Sequence, residues 1–403
     1  MRPLSGPGAA ARAGARTALY VHVPFCAAPC PYCHFSKEHL SGAAVERWLA
    51  ALEREAALRA PAAAGLAFSS VFFGGGTPSA IAPRAFARAW GSIRDHFTLE
   101  EGAEITLEAN PETVKPGLLD AWAQAGVNRL SMGAQSFVPE ELRALGRLHD
   151  EKKPGEAFAL ARAHGFRRLS LDLMFGYPGH TAATWERTLA AALALEPEHI
   201  SAYGYIPEEG TPLGDAVHGG AARTVSPELE AELHVQADAA FAAAGLVPYE
   251  TSNWSRPGAE CRHNLTYWLR RDYLALGPSS HGLWRGERYE NVRAMPDWAT
   301  ALEQGHDPAV AHELETPASR ADETVMLALR LASGLDLRDL SPDPREELEM
   351  RYGRAFADAQ AGGRLERTAH GWRIPAAHRF VADDTIAWLA VRARPLPARE
   401  RAA

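Results

Sequence analysis

Four cysteines in 403 residues are too few for the disulfide framework of a secreted protein, and three of the four fall between positions 26 and 33. No stretch approaches the roughly twenty consecutive apolar residues that a membrane-spanning helix needs. Positive charge is also scarce. Lys and Arg number 42 against 50 Asp and Glu, a net charge of −8, which excludes a broad nucleic-acid-binding face. The opening "MRPLSGPGAAARAGARTAL" has no apolar core of the kind a signal peptide carries. Residues 1–18 therefore read as a disordered leader. Together these absences point to a reducing cytoplasm, with contact to a membrane, if any, at its periphery.

What is present is an alternation. "TALYVHV", "FSSVFFGGGTPS", "EITLEANPE", "NRLSMGAQSF", "RRLSLDLMFGYPG" and "HISAYGYIPEEG" are strand-like runs that end in Gly, Pro or polar residues. Ala-rich segments of helical periodicity separate them; in the first, Val45, Trp48, Leu49, Leu52 and Leu58 recur at near-helical spacing. Such a rhythm predicts parallel strands joined by right-handed crossover helices. The fold class is α/β: about six repeats over residues 19–215, a barrel or part of one. Its chemistry is expected in the loops at the carboxyl ends of the strands. A looser extension follows over 216–310. From 311 to 403 the pattern changes to helix, short β-wing and final helix, a smaller second unit. The segment "ELRALGRLHD" reads as one helix.

The stretch "YVHVPFCAAPCPYCHFSKEH" sets Cys26, Cys30 and Cys33 in a C-x3-C-x2-C pattern. Two metal centres suit three thiolates. A structural zinc site would draw its fourth ligand from His22, His34 or His39. A [4Fe–4S] cluster, which normally takes four cysteines, would keep one iron open to an outside ligand. The glycines of "GGGTPS" follow a strand, where they let the backbone approach a ligand and offer it N–H donors.

"CAAPCPYC", taken with Tyr20, Pro24 and "GGGTPS", resembles the radical S-adenosylmethionine (SAM) superfamily. From about residue 18 to the C-terminus the chain resembles the branch that holds the oxygen-independent coproporphyrinogen III dehydrogenases and the HemW-type haem chaperones. The resemblance implies a partial (βα)6 barrel with a winged-helix-like C-terminal domain, and a [4Fe–4S] cluster on Cys26, Cys30 and Cys33. It also implies SAM contacts from Tyr20, Tyr32, Gly75, Gly76, Thr77, Glu108, Gln135, Arg147, Asp172 and Ile206. In that superfamily an electron from the cluster cleaves SAM to a 5′-deoxyadenosyl radical.

Two positions separate the members of the branch. The dehydrogenases carry a further cysteine two residues after the third, where this chain has Phe35, while His34 replaces the Asp usual in the chaperone type. "HNLTYW" reproduces the HNxxYW signature of the chaperones through His263, Asn264, Tyr267 and Trp268. Imidazole is a natural axial ligand of haem iron, and aromatic rings pack on a macrocycle. The same residues suit a buried core. His281 is a second candidate ligand, and Cys261 reads as a buried thiol. A haem chaperone thus stands against a radical enzyme acting on coproporphyrinogen. The resemblance further implies haem, a haem-acceptor protein, a flavodoxin- or ferredoxin-like electron donor and a homodimer as partners.

Overall fold

The computed structural model describes residues 16–396. Of the expected leader, residues 1–15 lie outside the described residues, and Thr17 and Ala18 already belong to a buried strand. The main sheet is built from β1 (Thr17–Val23), β2 (Ala67–Gly75), β3 (Thr98–Ala109), β4 (Arg129–Gln135), β5 (Arg168–Phe175) and β6 (His199–Gly204). These six pair in sequence order, all parallel. Later strands extend both edges: β7 (Val247–Pro248), β8 (Asn253–Ser255), β9 (Tyr273–Leu276), β10 (His281–Trp284), β11 (Glu287–Asn291) and β12 (Ala309–Leu314). The order is β12-β11-β10-β9-β1-β2-β3-β4-β5-β6-β8-β7, so the sheet stays open and the expected partial barrel is present. The antiparallel additions β8 on β6 and β10–β12 beyond β9 carry no βα rhythm that the sequence could have shown.

Crossover helices cover the outer face. The helix Gly42–Arg59 starts where the Ser41 hydroxyl accepts from the Ala44 N–H and buries Val45, Trp48, Leu49 and Leu52, while Leu58, expected on the same face, is exposed in the last turn. The helix Ala182–Leu193 opens with a capping box between Thr181 and Thr184. Along the central strands alternate residues turn outward into this apolar layer, as Leu19, Val21, Val71, Phe73, Leu107, Leu130 and Leu171 do. The intervening residues turn toward the concave side. Many of them are polar, among them Tyr20, Ser70, Glu108, Ser131 and Asp172, and they make the site.

Between the two ends of the open sheet lies the helix Arg262–Trp268, packed against β1 and β2. A separate apolar cluster, including Val325, Leu348, Tyr352, Phe356 and Leu389, holds the C-terminal unit. There the helices Pro317–Ala328, Pro342–Ala361 and Ala382–Ala390 flank a small sheet of Leu335–Asp336, Glu366–Arg367 and Gly371–Arg373. This is the helix, wing and helix expected. The unit docks on the β6–β8 side, where Arg379 grips Asp238 with two hydrogen bonds of 3.0 and 2.8 Å and Glu250 bridges to Leu331.

Candidate functional site

The cysteine loop leaves the carboxyl end of β1. Cys26, Cys30 and Cys33 are free thiols, each half-buried. The Cys33 N–H bonds the Cys30 carbonyl at 3.2 Å, and Lys37 Nζ bonds the Cys33 carbonyl at 2.6 Å. Burial pushes the Cys26 thiol up, while the Thr77 hydroxyl, 3.6 Å from its sulfur, pulls the other way.

A relay of hydrogen bonds joins two of the thiols. Thr77 Oγ1 faces Cys26 Sγ and accepts from Asn110 Nδ2 at 3.3 Å. Asn110 Oδ1 accepts from Arg147 Nη2 at 2.8 Å, and Arg147 Nη1 reaches Cys30 Sγ at 3.5 Å. Arg147 Nη2 also bonds the Gly133 carbonyl at 2.7 Å, and its Nε is buried without a partner. The expected single helix over "ELRALGRLHD" is therefore corrected. The helix stops at Ala144, Gly146 takes a φ of +64°, and Arg147 turns inward from the loop. Asn110 has the part that sequence reasoning missed. It registers there as the residue that turns the chain after a strand, and an Asn–Pro step just beyond a strand-end glutamate is the only signal it gives.

The glycine run does something other than expected. The Gly76 N–H bonds the Val23 carbonyl at 2.8 Å and the Thr77 N–H bonds the Phe25 carbonyl at 2.7 Å, while the Gly75 N–H is taken by Glu108 Oε2 at 3.1 Å. The N–H groups expected to serve a ligand instead tie the end of β2 to the end of β1, to the start of the cysteine loop and to Glu108. Glycine is required for that closeness. At Gly75, with φ of +112°, a Cβ would lie 2.5 Å from the His22 ring, and at Gly76 it would lie 2.7 Å from the Phe25 carbonyl oxygen. The Thr77 carbonyl is taken by the Ala80 N–H at 2.9 Å, so the carbonyls of Gly75 and Gly76 are the acceptors suited to an ammonium group.

Across the concave face the register sets Tyr20 beside Phe72, Glu108 beside Ser131, and Asp172 beside Gly133 and Ser201. Asp172 accepts from Ser131 Oγ at 3.0 and 3.1 Å. Burial, and secondarily the neighbouring Asp172, push the Glu108 carboxyl up to about 8. No cation contacts Glu108 among the described residues. Arg129, Arg147 and the Ser131 and Ser201 hydroxyls act on Asp172, but Glu108 has no such cation, and a buried carboxyl of this kind suits a cationic ligand. Gln135 sits at a register shift between β4 and β5 with a φ of +66°, strain of the kind a site retains when side-chain aim depends on it. Burial raises the Tyr32 phenol, which packs near Leu145, Met174 and Tyr205. Ile206, 69 % exposed, lies on the rim just past β6.

The zinc alternative loses its fourth ligand here. His22 Nε2 bonds the Ser36 carbonyl at 3.2 Å and its Nδ1 accepts from the Tyr20 hydroxyl at 3.1 Å, while burial drives its pKa down to about 4. His34 takes hydrogen bonds from Arg293 Nη2 at its Nε2 (3.2 Å) and its carbonyl (3.1 Å). His39 is exposed. Among the described residues no three metal-binding side chains converge on one point. A cubane cluster, which gives each thiolate its own iron, makes no such demand. The donor set fits the cluster and a cation beside it.

The HNxxYW segment divides in two. His263 is 1 % exposed, and burial holds its imidazole neutral, with a pKa near 3. Its Nδ1 meets Ser70 Oγ at 3.0 Å and its Nε2 meets the Tyr267 hydroxyl at 2.7 Å, with Phe72 packed at 5.1 Å. Neither nitrogen is open to an iron in this arrangement. Asn264 and Trp268 face the other way, into a cavity of about 290 Å³ shared with Glu250, Arg330 and Phe380 of the C-terminal seam. Asn264 bonds the Tyr249 hydroxyl at 3.1 Å, and Trp268 Nε1 is buried without a partner. His281 is 61 % exposed. Cys261 is buried as expected and points to Glu104 Oε1 at 3.5 Å.

The radical SAM superfamily model matches residues 20–192, and that of the HemN C-terminal domain matches residues 316–381. The heme chaperone HemW of Mycobacterium tuberculosis is 36 % identical over 387 residues, which cover 95 % of this chain and 97 % of that protein. The heme chaperone HemW of Bacillus subtilis is 33 % identical over 339 residues, 84 % of this chain and 87 % of that one. Among solved structures, the radical SAM enzyme coproporphyrinogen III oxidase (HemN) from Escherichia coli has the same fold. Its TM-score is 0.80, covering 93 % of this chain and 90 % of that one at 22 % identity. With relatives matched almost end to end, the chain belongs to the HemW family of the radical SAM superfamily.

Proposed function

We propose that this protein takes up haem and passes it to an acceptor protein, with a [4Fe–4S] cluster on Cys26, Cys30 and Cys33 and SAM held beside it. The observation that carries this reading is the match to proteins named heme chaperones over 95 % of the chain. Phe35, 67 % exposed where the dehydrogenases place a further cysteine, supports transfer over oxidation of coproporphyrinogen.

The cluster, when bound, supplies an electron for cleaving SAM's sulfonium. The chain's own residues do the holding. Glu108 and Asp172 accept from the ligand's donors, the Gly75 and Gly76 carbonyls serve its ammonium, and Arg147 keeps Cys30 and Asn110 in place. Tyr20, Tyr32, Gln135 and Ile206 complete the same reading around the rim.

Haem belongs near the Arg262–Trp268 segment. Asn264 and Trp268 are its members that face a cavity, whereas His263 would reach an iron only after leaving both Ser70 and Tyr267. His281, outside the lining of that cavity and 3.9 Å from Glu290 Oε1, is the exposed imidazole that an iron can reach without breaking a buried hydrogen bond. An acceptor protein, an electron donor and a homodimer belong to the same proposal, as does residence in the cytoplasm. No helix among the described residues is long and apolar enough to cross a membrane.

Haem titration followed at the Soret band tests this. Saturable binding by the wild type is expected, lost in His281→Ala and kept in a folded His263→Ala. No saturable binding by the wild type would sink the haem reading. Anaerobic turnover of coproporphyrinogen III to the divinyl product would restore the oxidase reading.

A further inference from the structure

We propose a second ligand site on the floor of the barrel, at the strand ends opposite the cysteines, for a small phosphate monoester that also bears a hydroxyl. A cavity of about 350 Å³ opens there, against Gly102 and Glu104 of β3, the turn before β4, and the residues that begin β5. Arg167, Arg168 and Arg262 border it. In a chain of net charge −8, three guanidinium groups around one cavity run against the overall balance.

These arginines are little used. Arg167 is exposed and makes no hydrogen bond or ion pair among the described residues. Arg262 gives Nη1 to the Gly102 carbonyl at 3.0 Å, and Arg168 meets Glu104 only at 3.7 Å. Guanidinium groups with free N–H pairs take phosphate oxygens two at a time. His164 lies at the edge, its Nδ1 donating to the Leu160 carbonyl at 2.9 Å and its Nε2 3.6 Å from Asp120, so the ligand's donors and acceptors are left to the arginines and Glu104.

Glu104 defines the rest of the ligand. It is 3 % exposed, and its Oε1 accepts from the His263 N–H at 3.2 Å. Its Oε2 is buried without a hydrogen bond, 3.8 Å from Arg129 and 3.7 Å from Arg168. A bare anion would satisfy the arginines and leave this oxygen without a donor. A phosphate monoester with a hydroxyl satisfies both, since a buried acceptor gains a partner as the guanidinium groups gain a charge. Glu104 also caps the start of the helix Arg262–Trp268, so an occupied floor bears directly on the segment that closes the barrel.

Calorimetric titration of the full chain with glycerol 3-phosphate tests the site, with sulfate as the dianion that has no proton to donate at neutral pH. Saturable binding of glycerol 3-phosphate is expected, about tenfold or more weaker in Arg167→Ala and lost in Arg167→Glu. Among the described residues Arg167 has no partner to lose, so both variants are expected to keep the wild-type melting temperature. Sulfate is expected to bind more weakly than glycerol 3-phosphate, and equal affinity would overturn the part assigned to Glu104. No saturation by glycerol 3-phosphate up to about 10 mM, or unchanged affinity in both variants, would overturn the site.

Discussion

Ser70 Oγ and His263 Nδ1 stand 3.0 Å apart inside the barrel, joining a strand to a helix 193 residues later in the chain. Truncating the imidazole strands two buried hydroxyls, those of Ser70 and Tyr267, and leaves a void against Phe72. His263→Ala is expected to lower the unfolding free energy by about 2–4 kcal/mol, read from urea denaturation. A variant of wild-type stability that fails to bind haem would instead make His263 a ligand.

Glu108 carries the opposite sign. Its carboxyl titrates at about 8 in the folded chain against an ordinary 4.5, so between those values the folded state keeps a proton that the unfolded state has lost. Its contribution to stability is therefore greatest below 4.5 and declines as the pH rises to 8. Glu108→Gln is expected to stabilise the ligand-free protein by about 1–3 kcal/mol at pH 8 and by nothing near pH 4.5. The same variant is expected to bind SAM more weakly. Equal stability of the two proteins at pH 8 would show that the carboxylate is not penalised there.

The relay Cys26–Thr77–Asn110–Arg147–Cys30 makes Asn110 a positioning residue for the thiols. Cys30→Ala is expected to lose the broad brown absorbance of the reconstituted protein. Asn110→Ala and Arg147→Lys are expected to keep iron but alter the electron paramagnetic resonance spectrum of the reduced cluster, because sulfur hydrogen bonds tune such centres. A spectrum unchanged in both would remove the relay from the cluster's surroundings.

His34 has an account in the structure. It receives two hydrogen bonds from Arg293, and Ser36 Oγ returns one to the Arg293 carbonyl at 2.8 Å, so the cysteine loop is tied to the chain just past β11. Aspartate at this position would pair with the same guanidinium as a charge. His34→Asp is expected to tighten the tie by a few tenths of a kcal/mol, as exposed pairs do, and to lengthen the life of the reconstituted cluster in air. A shorter life would refute the tie.

The fold was legible where periodicity and turn chemistry agree. The strand runs that end in "GGGTPS", "NPE" and "GYPG" are strands of the parallel sheet, and the cysteine spacing marks the loop at its mouth. Less legible was everything that depends on partners far along the chain. Nothing local marks that Tyr273–Leu276 will lie against β1, that Arg147 will leave its helical pattern to face Cys30, or that the glycine N–H groups will be spent on Val23 and Phe25. The HNxxYW signature is visible as a motif, but which of its side chains face inward follows from the angle at which its helix crosses the open sheet.

The pairing of β1 with both β2 and β9 has a consequence for synthesis. One neighbour of the strand that leads into the cysteine loop is complete by residue 75, and the other not until residue 276. At 5–20 residues per second the ribosome leaves that flank uncovered for on the order of ten to fifty seconds. Throughout that interval the thiols sit on a loop that leaves a strand with a bare edge, so metal delivered early would meet a nascent chain still open to wrong pairing. The order of manufacture thus favours loading after release, once the late strand has sealed the first.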